Sequence, residues 1–298
     1  MSVTVVGSVA LDDVETPHGR NVDGLGGAAT YFAIAAANFS QVNMVAIVGD
    51  DFPAQHIELL EGKGVNLDGL ERAKGKTFRW AGKYHANLND RDTLDTQLNV
   101  FEHFHPKLPQ ASCEAPFLFL GNIHPGLQLE VLEQAKPKFI GLDTMNLWIN
   151  IALEDLKKVL ARVDAIIIND SEVKLLTGEN NLIRGAKAVQ AMGPRIVVLK
   201  KGEHGCLLLT ENDLFSAPAY PLEEVVDPTG AGDTFAGGFM GYLAKNENTN
   251  ADTLRRAVVY GSVVASFTCE KFGPDRLVEI ASKDIEHRFN EFKKLAEF

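Results

Sequence analysis

Short runs of β-branched and other apolar residues alternate along most of this chain with stretches of helical length. Val3 to Val9, Asn43 to Val48, Phe117 to Leu120, Lys138 to Asp143, Ala165 to Ile168 and Arg195 to Lys200 are apolar at nearly consecutive positions. Strands covered on both faces read this way. Between them, Ala28 to Phe39, Phe52 to Lys63, Gln128 to Ala135, Ala152 to Arg162, Ser171 to Leu176 and Leu182 to Met192 have the length and composition of helices. A β-α-β-α rhythm predicts a mostly parallel central sheet with helices on both faces, a three-layer α/β/α domain. Gly205 to Thr210 and Asp213 to Ser216 form a hairpin pattern around Glu211-Asn212, and helices are expected near 233–245, 251–268 and 284–296. Without linker, repeat or low-complexity tract, the economical organisation is a single domain over residues 1–298.

Two segments break the rhythm. Residues 10 to 25 are polar and irregular, and residues 65 to 104 carry strand-like Thr77 to Tyr84 and Gln97 to Phe104 with no helix between. Phe78, Trp80 and Tyr84 share one face of the first of these. The expectation is a small antiparallel sheet outside the main one, built from about 11–25 and 73–105. It is either an ornament or a lid over a site, since lids are drawn from such peripheral elements.

Composition excludes several function classes. The 298 residues carry a formal net charge of −11 with no Lys/Arg block, which argues against a nucleic-acid surface. No apolar run approaches the ~20 residues of a membrane helix. Three isolated cysteines, Cys113, Cys206 and Cys269, show no CxxC spacing and point to reduced thiols in a cytoplasmic protein.

The stretch DPTGAGDTFAGGFMGYL, Asp227 to Leu243, carries the strongest chemical signal. A β-rich run, Leu222 to Val226, leads into small residues Gly230, Ala231 and Gly232, and an apolar helical run follows. Amides at a helix start lack internal partners and carry part of the dipole's positive charge, so an anion can be held there. Asp233, in the first turn, is either a dipole-complementing cap or a base that takes a proton from an attacking hydroxyl.

Other motifs stand at strand ends, where open α/β sheets bind ligands. Asn169 and Glu172, in NDSE, suit a hydrated Mg²⁺, or else Asn169 or Ser171 simply N-caps the next helix. Lys200, Gly202 and Gly205, in KKGEHG, suit a phosphate or a flat ring, or a glycine-assisted hairpin. Asp12 follows the first strand and could accept hydrogen bonds from substrate hydroxyls. G-x-G-x-x-A at 24–29 lacks the strand that a dinucleotide fingerprint needs directly before it. The His103/His105 pair has no matching ligand cluster.

Together these stretches resemble the ribokinase-like PfkB carbohydrate kinase family. GSVALD at 7–12, Gly26-Gly27, VAIVGDDFP at 45–53, NDSE at 169–172, KKGEHG at 200–205 and DPTGAGDTFAGGF at 227–239 occur in the family's order, the last being its signature. The resemblance implies a ribokinase-like fold with a β lid, often used in dimerisation, and ATP-dependent phosphotransfer to a small sugar-like acceptor. It implies Asp233 as catalytic base and the Gly230, Ala231 and Gly232 amides as anion hole. Asn169 and Glu172 would organise Mg²⁺ and phosphates, with Lys200, Gly202, Gly205 and Thr229 on the nucleotide side. Asp12, Gly26, Gly27 and Asn122 would meet the acceptor, and Asp227 with Thr229 would bind a monovalent cation such as K⁺. The chain departs from the ribokinase branch at Ala10, where that branch has asparagine, and at Ala28, where it has a polar residue. Both departures speak against ribose itself. The lid aromatics Phe78, Trp80, Tyr84, Phe101 and Phe104 would stack on a nucleoside base, form the lid's own core or make a dimer contact.

Overall fold

The computed structural model describes residues 1–297. In chain order the strands are β1 (Ser2–Val6), β2 (Ala10–Thr16), β3 (Gly19–Gly26), β4 (Gln41–Val48), β5 (Val65–Arg72), β6 (Phe78–Tyr84), β7 (Arg91–Gln97), β8 (Phe117–Leu120), β9 (Phe139–Leu142), β10 (Ala165–Asn169), β11 (Ile196–Lys200), β12 (Cys206–Leu209) and β13 (Leu214–Ala217). The helices are α1 (Ala28–Ala36), α2 (Ala54–Gly62), α3 (Gln110–Cys113), α4 (Pro125–Gln134), α5 (Asn146–Ile151), α6 (Leu153–Leu160), α7 (Asp170–Thr177), α8 (Leu182–Gln190), α9 (Ala231–Asn246), α10 (Ala251–Thr268), α11 (Asp275–Glu279) and α12 (Ser282–Leu295).

The main sheet has nine strands in the order β13-β12-β11-β10-β9-β8-β1-β4-β5. Its neighbouring strands pair in parallel except β11 with β12 and β12 with β13, so β12 alone is reversed, and β12 and β13 form the expected hairpin. Alternate strand residues feed two cores. Val3, Val5, Ile167 and Val198 pack under α1, α9, α10 and α12, whereas Val6, Ile166, Ile168, Val197 and Leu199 pack under α4, α6, α7 and α8. The strand order reverses at β1, between β8 and β4. Such a reversal opens a crevice at the carboxyl ends of the strands.

Leaving β1, the chain enters a second, four-stranded sheet ordered β3-β2-β6-β7. The β2–β6 pair is parallel and the outer pairs are antiparallel. This is the lid-like sheet, with four strands where the sequence had suggested three. Its last strand is Arg91–Gln97, not Gln97 to Phe104. The latter segment holds a 3₁₀ turn over Asn99–His103, and Phe101 stacks between Phe78 and Phe104 with centroids 5.4 and 5.7 Å apart. Aromatic packing among these three outweighs strand propensity. Two further expectations fail. Residues 65–72 form β5, the edge strand of the main sheet, and the β-rich run at 222–226 forms no strand.

Helix α9 is buried along nearly its whole length, from Thr234 to Ala244. Its glycines explain how. A Cβ at Gly237 or Gly241 would run into the backbone of Phe32 or Ala36 in α1, and one at Gly238 would meet Gly261 of α10 at 3.0 Å. Small residues thus let three helices approach closely, and the start of α9 is held rigidly against the carboxyl edge of the sheet.

Candidate active site

Gly230 caps α9 in the left-handed region, φ 75°, and a Cβ there would strike the ring of the buried Tyr31. Only glycine meets both demands. Beyond it, the Ala231 amide donates to the Pro228 carbonyl at 3.2 Å. Among the described residues, no backbone carbonyl accepts from the Gly232 or Asp233 amide, so the N-terminal positive pole of a sixteen-residue helix is open there. Of the three amides that the sequence singles out, Ala231 is already engaged and Gly232 is free.

Four charged side chains converge on this pole from neighbouring elements. Asp233 stands in the first turn of α9, Lys200 at the end of β11, Asp143 just past β9, and Glu172 in the first turn of α7. Burial pushes the Asp233 carboxyl up to about 7, and Asp143 adds to the rise while Lys200 and Arg91 oppose it. Burial likewise lifts Glu172 to about 7, aided by Asp143 and opposed by Lys200. Asp143 is raised by burial against the pull of Lys200 and the Thr144 amide. Burial pulls the Lys200 ammonium down, but Asp143, Glu172 and Asp233 together hold it above its ordinary value. One cation thus faces three carboxylates that mutually disfavour ionisation.

Glu172 and Asn169 form a reciprocal capping box. Asn169 Oδ1 accepts from the Glu172 amide at 2.8 Å, and Glu172 Oε2 accepts from the Asn169 amide at 3.0 Å. This capping leaves one oxygen of the buried Glu172 uncommitted by these bonds. Among the described residues no three His, Cys, Asp or Glu side chains form a ready-made metal cage. The donor chemistry nevertheless fits Mg²⁺, a hard ion that keeps most of its waters and takes few carboxylates, and the crowded negative charge would be relieved by it.

A second carboxylate group lies toward the lid. Asp12, on β2, is buried; burial raises its carboxyl to about 7 against the Gly27 amide, and Asp227, Asp233 and Asp13 add to the rise. A Cβ at Gly26 would overlap this carboxylate. Gly27, at φ 93°, starts α1, and a Cβ on it would lie 2.5 Å from the Ser8 carbonyl. Asp227 is fully buried, and its two oxygens accept from the Thr229 and Gly273 amides at 2.9 and 3.1 Å. These bonds account for Asp227 as the brace of the loop before α9. Thr229 Oγ1 donates to the Tyr84 hydroxyl of the lid at 3.2 Å.

The structure therefore gathers Asp12, Gly26, Gly27, Asn169, Glu172, Lys200, Asp227, Thr229, Gly230, Gly232 and Asp233 at one end of the sheet. Gly202 and Gly205 flank the 3₁₀ turn after β11. A Cβ at Gly205 would collide with the Ala217 carbonyl and Pro218, which ties that glycine to the β12–β13 hairpin. Asn122, just past the end of β8, accepts from Trp148 Nε1 at 2.8 Å and donates to Met145 Sδ.

Three residues here escaped the sequence reading. Asp143 reads only as the end of an apolar strand. Tyr31 reads as one more apolar helix residue. Arg91 lies in a polar stretch without periodicity. Of the lid aromatics, Phe78, Phe101 and Phe104 stack on one another and Tyr84 bonds to Thr229. Trp80 joins neither contact; it is half-buried and pairs with Asp12 in the β2–β6 register. The small sheet is tied to the body by the Thr229–Tyr84 and Asn89–Glu203 hydrogen bonds. Two cavities, of about 260 and 150 Å³, are lined by residues outside this cluster.

A three-layer α/β body with such strand ends beneath a β lid is the architecture of a small-molecule kinase. The chain belongs to the PfkB family: the model for "pfkB family carbohydrate kinase" matches residues 2–281. It is an ATP-dependent kinase of that family, and its relatives are sugar and nucleoside kinases. It is 30% identical over 249 residues to the cytidine kinase of Thermococcus kodakarensis, covering 80% of this chain and 87% of that protein. The fold matches the nucleoside kinase of Methanocaldococcus jannaschii with a TM-score of 0.77 at 18% identity, covering 97% and 98% of the two chains. It also matches the ribokinase of Arabidopsis thaliana complexed with ribose and ATP, with a TM-score of 0.77 at 19% identity over 96% and 98%. Among the described residues no helix is long and apolar enough to cross a membrane.

Proposed function

We propose that this kinase transfers the γ-phosphoryl group of ATP to a hydroxymethyl group of a small sugar or sugar-like acceptor, with Asp233 as general base. The carrying observation is the Asp233 carboxyl, raised to about 7 at the open amide pole of α9 beside Lys200. A carboxylate with that affinity for a proton is well matched to deprotonating an alcohol near neutral pH.

The acceptor hydroxyl gives its proton to Asp233 while its oxygen bonds to the γ-phosphorus. The bond from that phosphorus to the bridging oxygen breaks, and ADP leaves with the electron pair. The Gly232 amide and Lys200 face the oxygens that gather charge, and positioning with electrostatic stabilisation does most of the work. Asp12 accepts hydrogen bonds from the acceptor's other hydroxyls. Glu172, with Asn169 beside it, would hold a hydrated Mg²⁺, which when bound neutralises phosphate charge. Gly202 sits on the turn where the nucleotide would lie.

A nucleoside acceptor is the second reading. It is favoured by Trp80, an aromatic that pairs with Asp12 in register and stacks on none of the other lid aromatics, and by the kinship with a cytidine kinase. An ATP-consumption screen over pentoses, hexoses, keto-deoxy sugar acids and nucleosides decides between the two. With the acceptor it finds, Asp233→Asn should lose at least about two decades of kcat while still binding nucleotide. Near-normal turnover by that variant would rule out Asp233 as the base.

A further inference from the structure

We propose that Arg91, carried on lid strand β7, contacts the phosphoryl group in transfer and supplies a positive charge that the site possesses only while the lid is shut. The proposal rests on the kinase reading above and adds a catalytic residue that no motif of the sequence marks.

The first argument is the state of the guanidinium. The lid has two other arginines, and both are neutralised. Arg20 pairs with Asp13 at 3.4 Å, and Arg79 pairs with Asp23 and Asp51. Among the described residues Arg91 has no carboxylate partner within ion-pair distance, although the protein carries a net charge of −11. Instead its guanidinium lies over the Trp80 ring, 5.4 Å from the centroid. One donor lies within hydrogen-bond reach of the Tyr84 hydroxyl, and the stacked guanidinium keeps its remaining in-plane donors for an anion.

The second argument is direction. Arg91 pairs with Tyr84 across the β6–β7 register, so its side chain shares the face that bears Tyr84, Trp80 and, through β2, Asp12. Tyr84 on that face bonds to Thr229, two residues before Ala231 opens α9. The platform is fixed as well. A Cβ at Gly82 would overlap the Trp80 ring, so glycine lets the indole lie flat across the strand. Trp80 Nε1 donates to Thr93 Oγ1 at 3.4 Å, which holds the ring from the other side. The Arg91 charge is felt at Asp233, Glu172 and Tyr84. These are the groups around the position where the phosphoryl would pass.

The third argument is how the hairpin is held. Asn87 Oδ1 accepts from the Asn89 and Asp90 amides, which orders the tip. Asn89 Nδ2 then reaches the loop after β11, donating to Glu203 Oε1 at 3.1 Å. Arg91 is two residues from that contact. When the tip leaves Glu203, Arg91 leaves with it.

The test needs no identified acceptor. Wild type, Arg91→Lys and Arg91→Met are titrated with MgADP, and then with aluminium fluoride at saturating MgADP, where the planar fluoride stands in for the phosphoryl in flight. β7 is solvent-exposed at all seven residues, so the substitutions should fold normally. MgADP should bind all three within about twofold, since the contact is made only to the transferring group. Arg91→Met should bind aluminium fluoride at least about tenfold more weakly, with Arg91→Lys between the two and added guanidinium restoring part of the loss. Equal aluminium fluoride affinity in wild type and Arg91→Met overturns the proposal and leaves the kinase reading intact. That is also the result if Arg91 serves only to hold an acidic acceptor. A wild type that binds no MgADP at all defeats the kinase reading itself, and the proposal with it.

Discussion

A Cβ placed on Gly232 would stand 2.9 Å from Lys200 Nζ. The start of α9 and the end of β11 therefore meet with no space for a single methyl group, and the only cation at the floor of the site is seated by a glycine. The lysine tip is flexible enough to move aside, so Gly232→Ala should fold with little change in Tm. The ammonium would be displaced from Asp143 and Asp233, and kcat should fall by at least about tenfold, the cost of about 1.4 kcal/mol in transition-state stabilisation. Steady-state kinetics beside a melting curve checks the split.

The rate should depend on pH in a defined sense. Asp233 works as a base only when ionised, and its carboxyl is lifted to about 7. Below that value the free enzyme holds the proton, so kcat/KM should fall as pH drops through about 7. The fall should be steeper than one proton, because Asp12 and Glu172 lie at about 7 too. In kcat the limb should move to lower pH, since bound Mg²⁺ favours the charged carboxylates. A flat profile from pH 5.5 to 8 would contradict the role given to Asp233.

Asp12→Asn separates stability from function. The folded carboxyl is raised to about 7 from an ordinary 3.8. Its contribution to stability is therefore complete below about pH 4 and is lost as pH rises through about 7. The ligand-free wild type should melt lower at pH 8 than at pH 6, and Asp12→Asn should reduce that difference and melt higher than wild type at pH 8. The same change should raise the acceptor KM about 10- to 100-fold, the worth of a hydrogen bond to a charged group. Calorimetry at two pH values and a KM measurement decide it.

Asn169 and Glu172 share a cap, and two substitutions distinguish capping from chemistry. Asn169→Ala removes the side-chain oxygen that accepts from the Glu172 amide, and should cost about 1 kcal/mol of stability. Glu172→Gln preserves the reciprocal cap and should leave Tm nearly unchanged, while raising the Mg²⁺ concentration needed for half-maximal rate. Unaltered Mg²⁺ dependence in Glu172→Gln would remove that residue from the metal's surroundings.

The body of the fold was legible because its strands are buried on both sides. β1, β4, β8, β10 and β11 announce themselves as nearly continuous apolar runs. Strands lacking a buried face were not. β7, RDTLDTQ, is exposed at every residue, and β5, VNLDGLER, borders the sheet with its polar side outward. The run at 222–226 shows the converse, since β-branched residues with no ladder to join stay irregular. In the site, Gly230, Gly232 and Asp233 could be found because a helix start needs small residues in a fixed order. Asp143 could not, since one carboxylate after a strand resembles any loop residue until the sheet sets it beside Lys200. Arg91 acquires its meaning from cross-strand pairing with Tyr84 alone.

Asp12 belongs to the lid sheet, whereas Asp233 is bolted to the body through α1 and α10. On the proposed mechanism the two carboxylates that meet one acceptor thus belong to different layers of the fold, and the acceptor itself would be the ruler between them. A sugar with one hydroxyl for each can bridge the gap and hold it at working length. Water, with a single oxygen, is too short to span it. On that mechanism, fidelity against wasteful ATP hydrolysis would follow from where the chain crosses between its two sheets, at residues 7–9.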